Sequence, residues 1–157
     1  MKQENTKNLQ LIANRIRTPD GTILWSRYGH DCVFYKDDNG EMYMLDGGND
    51  YVRITDNKEP AESLCVYDDA PFEEIRQVML RGTFDKDMCR VYVPLCKLNN
   101  SHLPAILQYN KDRHIISYQD KFIEQEIEYR KEHNIFIEDK QYTEEDGVEA
   151  VTVCMTN

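Results

Sequence analysis

The sequence predicts an α+β fold: N-terminal antiparallel β-hairpins of about five strands, then two short helices and one long C-terminal helix. Two observations carry this prediction. The turn signals Pro19-Asp20-Gly21 and Asp37-Asp38-Asn39-Gly40 are each flanked by β-branched and aromatic residues, whereas helical spacing of apolar residues appears only after residue 69. The chain has 157 residues, 40% hydrophobic and 31% charged, which is enough for one buried core. A single domain is therefore expected over 1–139. Residues 140–157 form an acidic tail with the composition of a flexible segment.

The elements follow in order. Pro19 presets φ and Gly21 accepts a positive one, so residues 14–27 read as a hairpin. Asp31–Lys36 and Glu41–Asp46 flank the second turn and have the length and side chains of strands. Gly47-Gly48 permits a sharp bend, and Asp50–Thr55 reads as a fifth strand closing a small sheet. Asn57–Glu62 is a polar connector to a short extended segment, Ser63–Tyr67.

The first helix is expected between Asp69 as cap and Gly82 as terminator, with Pro71 in its first turn, Glu73 and Glu74 complementing its dipole, and Ile75, Val78 and Met79 on one face. Arg90–Leu95 reads as a strand with its proline at the end. Ser101 is placed to cap a second helix that buries Leu103, Ile106 and Leu107. The longest helix spans Ser117 to His133 with the stripe Tyr118, Phe122, Ile123, Glu126, Ile127 and Arg130, and Asn134 stops it. Ile135–Ile137 is a candidate return strand.

Composition excludes several classes of function. The net charge is −10, and residues 119–157 hold 11 acidic and 4 basic side chains. A basic nucleic-acid surface is unsupported, because phosphate contact draws on clustered Lys and Arg. No apolar run approaches the about 20 residues of a membrane span, and the polar start of the chain has no signal-peptide core, so a cytosolic setting is expected. Five cysteines, with no Cys-x-x-Cys pair, argue against a disulfide framework or zinc knuckle, and are expected to be mostly small buried hydrophobes.

The densest polar cluster is Arg27-Tyr28-Gly29-His30-Asp31-Cys32 with Asp46-Gly47-Gly48-Asn49-Asp50-Tyr51-Val52-Arg53. Pairing of the second hairpin brings His30 and Asp31 towards Asp46, and a His beside a carboxylate is the recurring acid–base pair. His30, Asp31 and Asp46 are thus the catalytic candidates, and Arg27, Tyr28, His30, Asp46, Asp50, Tyr51 and Arg53 the ligand-binding ones. The competing reading makes the carboxylates turn caps and the glycines a bend. No Walker, Gly-x-Ser-x-Gly, His-Glu-x-x-His or EF-hand pattern occurs, so neither a cofactor nor a metal site is expected. His102, His114 and His133 are scattered and read as surface residues or caps.

The blocks Arg27–Cys32 and Leu45–Arg53 resemble those of a family of small proteins from tailed bacteriophages. The similarity runs from about residue 14 to 139 and includes Glu59-Pro-Ala-Glu62, Tyr67-Asp-Asp69 and Glu126-Ile-Glu-Tyr-Arg130. Shorter proteins with a similar Asp-Gly-Gly-x-Asp-Tyr block carry zinc-ribbon cysteine pairs in the preceding hairpins; here the turn Thr18–Gly21 has none. The resemblance implies infection of a bacterium as the setting, and no reaction.

Two functions are expected to compete. One is a non-enzymatic phage accessory protein that binds a host or phage protein with a basic surface, inhibition included, through Glu124, Glu128, Glu132, Glu138 and Asp139, with Glu126, Glu144, Glu145 and Asp146 adding charge. The other is a small hydrolase or transferase, or a nucleotide-binding protein, built on His30, Asp31, Asp46 and Arg53.

Overall fold

The computed structural model describes residues 8–154. Antiparallel strands and helices are both present, so the class is α+β. The chain divides into two compact units, residues 1–71 with 149–157 and residues 72–148, so the segment after 139 contributes to both.

In the first unit, β1 (Leu11–Arg17) and β2 (Ile23–Ser26) form the first expected hairpin, with Asn14 opposite Ser26 and Arg17 opposite Ile23. Its turn is closed by Thr18 and Gly21, whose N–H groups donate to Thr22 O (2.8 Å) and Thr18 O (2.9 Å) respectively. The second hairpin pairs β3 (Val33–Lys36) with β4 (Met42–Asp46), and Asp37 Oδ1 caps its turn by accepting from the N–H groups of Asn39 and Glu41. The fifth strand is shorter than expected: β5 (Arg53–Ile54) pairs only with Leu45 and Asp46. The two hairpins also belong to different sheets: β6 (Glu62–Ser63) and β7 (Val66–Tyr67) extend the first through β1, and β5 extends the second through β4.

Alternation along these strands places Ile16, Leu24, Val33, Tyr43 and Leu45 in one buried cluster. Ala150 and Val151 pack on it, because β10 (Val151–Thr152) pairs antiparallel with β2.

The second unit departs from expectation at its start. The first helix, α1 (Phe72–Val78), ends well before Gly82, and β8 (Leu80–Phe84) and β9 (Arg90–Pro94) make a further hairpin in which Gly82 lies opposite Tyr92. The stretch around Gly82 pairs with the strand that follows it directly, Phe84 lying opposite Arg90, whereas reading Gly82 as a helix terminator carries the helix past its end at Val78. β9 ends on its proline as predicted.

α2 (His102–Asp112) follows Ser101, but the serine hydroxyl donates to Asp139 rather than capping the helix. α3 (Asp120–Glu132) begins after Gln119 and ends as predicted. Asn134 takes a left-handed φ of 53°, and Ile135 N–H donates to Arg130 O at 2.9 Å, closing a Schellman turn. His114 ends α2 in the same way, with φ 53° and Ile115 N–H on Asn110 O. Ile135–Ile137 does not form a strand; Ile137 O instead accepts from Asn100 N–H at 2.9 Å. Ile75, Val93, Leu95, Leu103, Ile106, Phe122 and Ile123 are buried in this unit.

Candidate functional site

The Asp-Gly-Gly block is built around a residue that sequence reasoning did not single out. Asn14, in the middle of β1, is fully buried, and its side-chain NH2 donates to Asp46 O (3.2 Å), Gly48 O (3.0 Å) and Tyr51 O (3.0 Å). The two N–H bonds of this buried amide, shared among three carbonyls, hold the loop after β4 in one conformation. The glycines make that possible. Gly47 (φ 114°) would carry a Cβ 1.8 Å from Tyr51 O, and Gly48 (φ 53°) one 2.4 Å from the Tyr28 backbone.

Ser26, at the end of β2, joins this loop to the preceding one. Its hydroxyl donates to Asp31 O at 2.7 Å and accepts from Gly48 N–H at 2.9 Å. The loops 27–31 and 46–53 therefore do meet, yet the charged groups pair within each loop. Asp31 Oδ2 accepts from the backbone N–H and Nε of Arg27 (2.9 and 3.1 Å). Asp46 Oδ1 accepts from Gly47 N–H (2.8 Å), while its Oδ2 faces the Arg53 guanidinium (3.0 Å) and the Tyr51 hydroxyl (3.4 Å).

His30 takes a left-handed φ of 67° in the exposed turn closed by Asp31 N–H on Tyr28 O. Among the described residues its ring makes no hydrogen bond, so no histidine–carboxylate pair is assembled there. Tyr28 lies beneath Arg27, with the guanidinium 5.8 Å from its ring centre, and Asp50 and Tyr51 are exposed.

The cysteines differ from expectation. None is buried: Cys32, Cys89 and Cys154 are exposed, and Cys65 and Cys96 are half-buried. Cys32 lies between buried Asp31 and buried Val33, so strand alternation turns it outwards. Burial pushes the Cys96 thiol up, away from the reactive thiolate.

In the second unit, Glu124, Glu128 and Glu132 are exposed along α3, and Glu138 and Asp139 are exposed after it. Glu126 is not part of that surface. It is fully buried, with Oε2 2.8 Å from Arg76 Nε and Oε1 2.7 Å from Arg76 Nη2 and 3.0 Å from Arg130 Nε. The Glu126 carboxylate raises the Arg76 pKa, and Arg130 is held further by Asn100 Oδ1 (2.8 Å) and Leu95 O (3.1 Å). This Arg–Glu–Arg triad explains why the α3 stripe is only partly apolar. Its signal was present in the spacing of Glu126 and Arg130, but Arg76 lies fifty positions away in sequence.

Of the scattered histidines, His114 and His133 stand at helix C-termini as caps do, His133 Nδ1 lying 2.8 Å from Tyr129 O. His102 is instead half-buried against the Tyr142 hydroxyl (2.8 Å), and burial lowers its pKa. Burial raises the Asp146 carboxyl, but Thr143 N–H and Lys140 outweigh it, so Asp146 titrates below the usual carboxylate range and pins the turn at 143–146.

The chain matches no protein family, no curated protein and no solved structure. Among the described residues, no helix is long and apolar enough to cross a membrane.

Proposed function

We propose that this protein is a non-enzymatic accessory protein that binds a partner protein with a basic surface. The setting is the one the sequence resemblance implies, the cytosol of a phage-infected bacterium, and inhibition of the partner is the expected consequence. The observation that carries this reading is the row Glu124, Glu128, Glu132 at i, i+4, i+8 on α3, all three exposed, continued by exposed Glu138 and Asp139. Like charges at that spacing each cost a helix roughly 0.2–0.5 kcal/mol. Only Glu128 is relieved by a cation, Lys131 at 3.2 Å, among the described residues. A row that works against the helix carrying it points to a use outside the fold, and such a surface steers oppositely charged partners at long range.

The acid–base alternative has less support. Asp31 and Asp46 spend their oxygens on Arg27, Gly47, Tyr51 and Arg53, and His30 approaches neither. The experiment is a pull-down with tagged protein from bacterial lysate at low and moderate salt, alongside the triple variant Glu124→Lys, Glu128→Lys, Glu132→Lys. A stoichiometric partner held by the wild type and lost by the variant and by salt supports the reading. A partner retained equally by both would remove the acidic face from it.

A further inference from the structure

A cleft of about 300 Å³ lies in the first unit between the start of β1, the loop 49–52 and β7. Its walls include Gln10, Leu11, Asp50, Tyr51, Val52 and Tyr67, and among the described residues no Lys or Arg lines it. Tyr51 and Tyr67 are 46% and 37% exposed, large aromatic side chains left partly uncovered at the same opening. The Asp50 carboxylate has no ion pair and no hydrogen bond among the described residues. A second carboxylate follows Tyr67 in sequence and does not line the cleft. Asp68 N–H donates to Gln10 O at 2.9 Å, and Asp68 Oδ1 is buried without a hydrogen-bond partner among the described residues.

We propose that this cleft binds a cationic alkyl group, an ammonium or guanidinium head on an aliphatic stem. Tyrosine rings attract such heads through their quadrupole, and a carboxylate supplies the charge-assisted hydrogen bond. Leu11 and Val52 offer apolar surface to the stem. The size is at the lower end for ligand sites and suits one such chain rather than a nucleotide. Arg27 and Arg53, which a phosphate would need, face Asp31 and Asp46 instead. The cation is organic: among the described residues no group of three or more His, Cys, Asp or Glu could hold a metal ion. The inference uses residues of the first unit alone and is independent of the acidic face of α3. The same head group is carried by a lysine or arginine side chain of a partner and by a free polyamine.

The test is a titration of the ¹⁵N-labelled full chain, followed by amide shifts, with Nα-acetyl-lysine methylamide, Nα-acetyl-arginine methylamide and spermidine. Nα-acetyl-norleucine methylamide serves as the uncharged control. Saturable shifts centred on Leu11, Asn49–Val52 and Tyr67 are expected with the cationic probes and not with norleucine. Tighter binding of spermidine assigns the site to a free polyamine, and tighter binding of the blocked amino acids to a partner's side chain. Asp50→Asn is expected to weaken binding roughly fivefold to tenfold, and Tyr67→Leu, which keeps every charge, by several-fold. No saturable shift, an equal response to norleucine, or undiminished binding by both variants overturns the proposal.

Discussion

A single buried amide fixes the conformation of the most conspicuous motif of this sequence. With Asn14 donating to three carbonyls of the loop after β4, the Asp-Gly-Gly block is locked in one conformation. Asn14→Ala should cost about 1–3 kcal/mol by leaving buried carbonyls unpaired. Gly47→Ala, which drives a Cβ onto Tyr51 O, should cost about 3 kcal/mol or more. Urea denaturation followed by the fluorescence of Trp25, the sole tryptophan, measures both. Asp20 offers a pH-dependent check at the same scale. Burial raises its carboxyl, but the hydroxyls of Thr18 and Tyr35 and the Thr22 N–H outweigh this, so its folded pKa lies below the unfolded value of about 3.9. The carboxylate therefore stabilises the folded state fully above that value, and the contribution fades as pH falls below it. Acid unfolding monitored by Trp25 should show a shallower decline below pH 4 in Asp20→Asn than in the wild type. The glycines and the charged residues of the site were legible in the sequence. The lock was not, because Asn14 is an ordinary strand residue until the loop thirty residues later folds onto it.

At the scale of elements, local chemistry was readable and distant pairing was not. Pro19-Asp20-Gly21, the second turn, the proline ending β9 and the stop at Asn134 all depend on a few neighbouring residues, and all are observed. The return of β10 to β2 depends on a partner far along the chain, while the β8–β9 hairpin is local and is hidden by reading Gly82 as a helix end. α3 shows both kinds of information in one helix. Beyond Asp120 in its first turn, its acidic residues divide into an exposed row and one buried carboxylate, a division set by Arg76 arriving from α1. Glu126→Ala should cost about 3–5 kcal/mol, because it leaves two guanidinium groups without their counter-ion, Arg130 being almost wholly buried. Glu124→Ala on the exposed side should change stability by no more than about 0.5 kcal/mol. Chemical denaturation of the two variants side by side distinguishes them, and equal costs would contradict the division.

For the whole molecule, the charge is the property with a consequence beyond the fold. A net −10 gathered towards the last quarter of the chain is compatible with folding because the buried carboxylates Asp31, Asp46 and Glu126 are each paired with arginine, while Glu124, Glu128, Glu132, Glu138 and Asp139 face solvent. That arrangement makes association dependent on ionic strength, since exposed charges are screened over about 10 Å at ordinary salt. Zero-length carbodiimide coupling joins carboxylates to lysine amines only where they touch, so it reports the docking face directly. Applied to the captured complex and read by mass spectrometry, it should yield links from Glu124, Glu128, Glu132, Glu138 or Asp139 to lysines of the partner. Links confined to carboxylates of the first unit, with the α3 row unmodified by the partner, would contradict the acidic-face account.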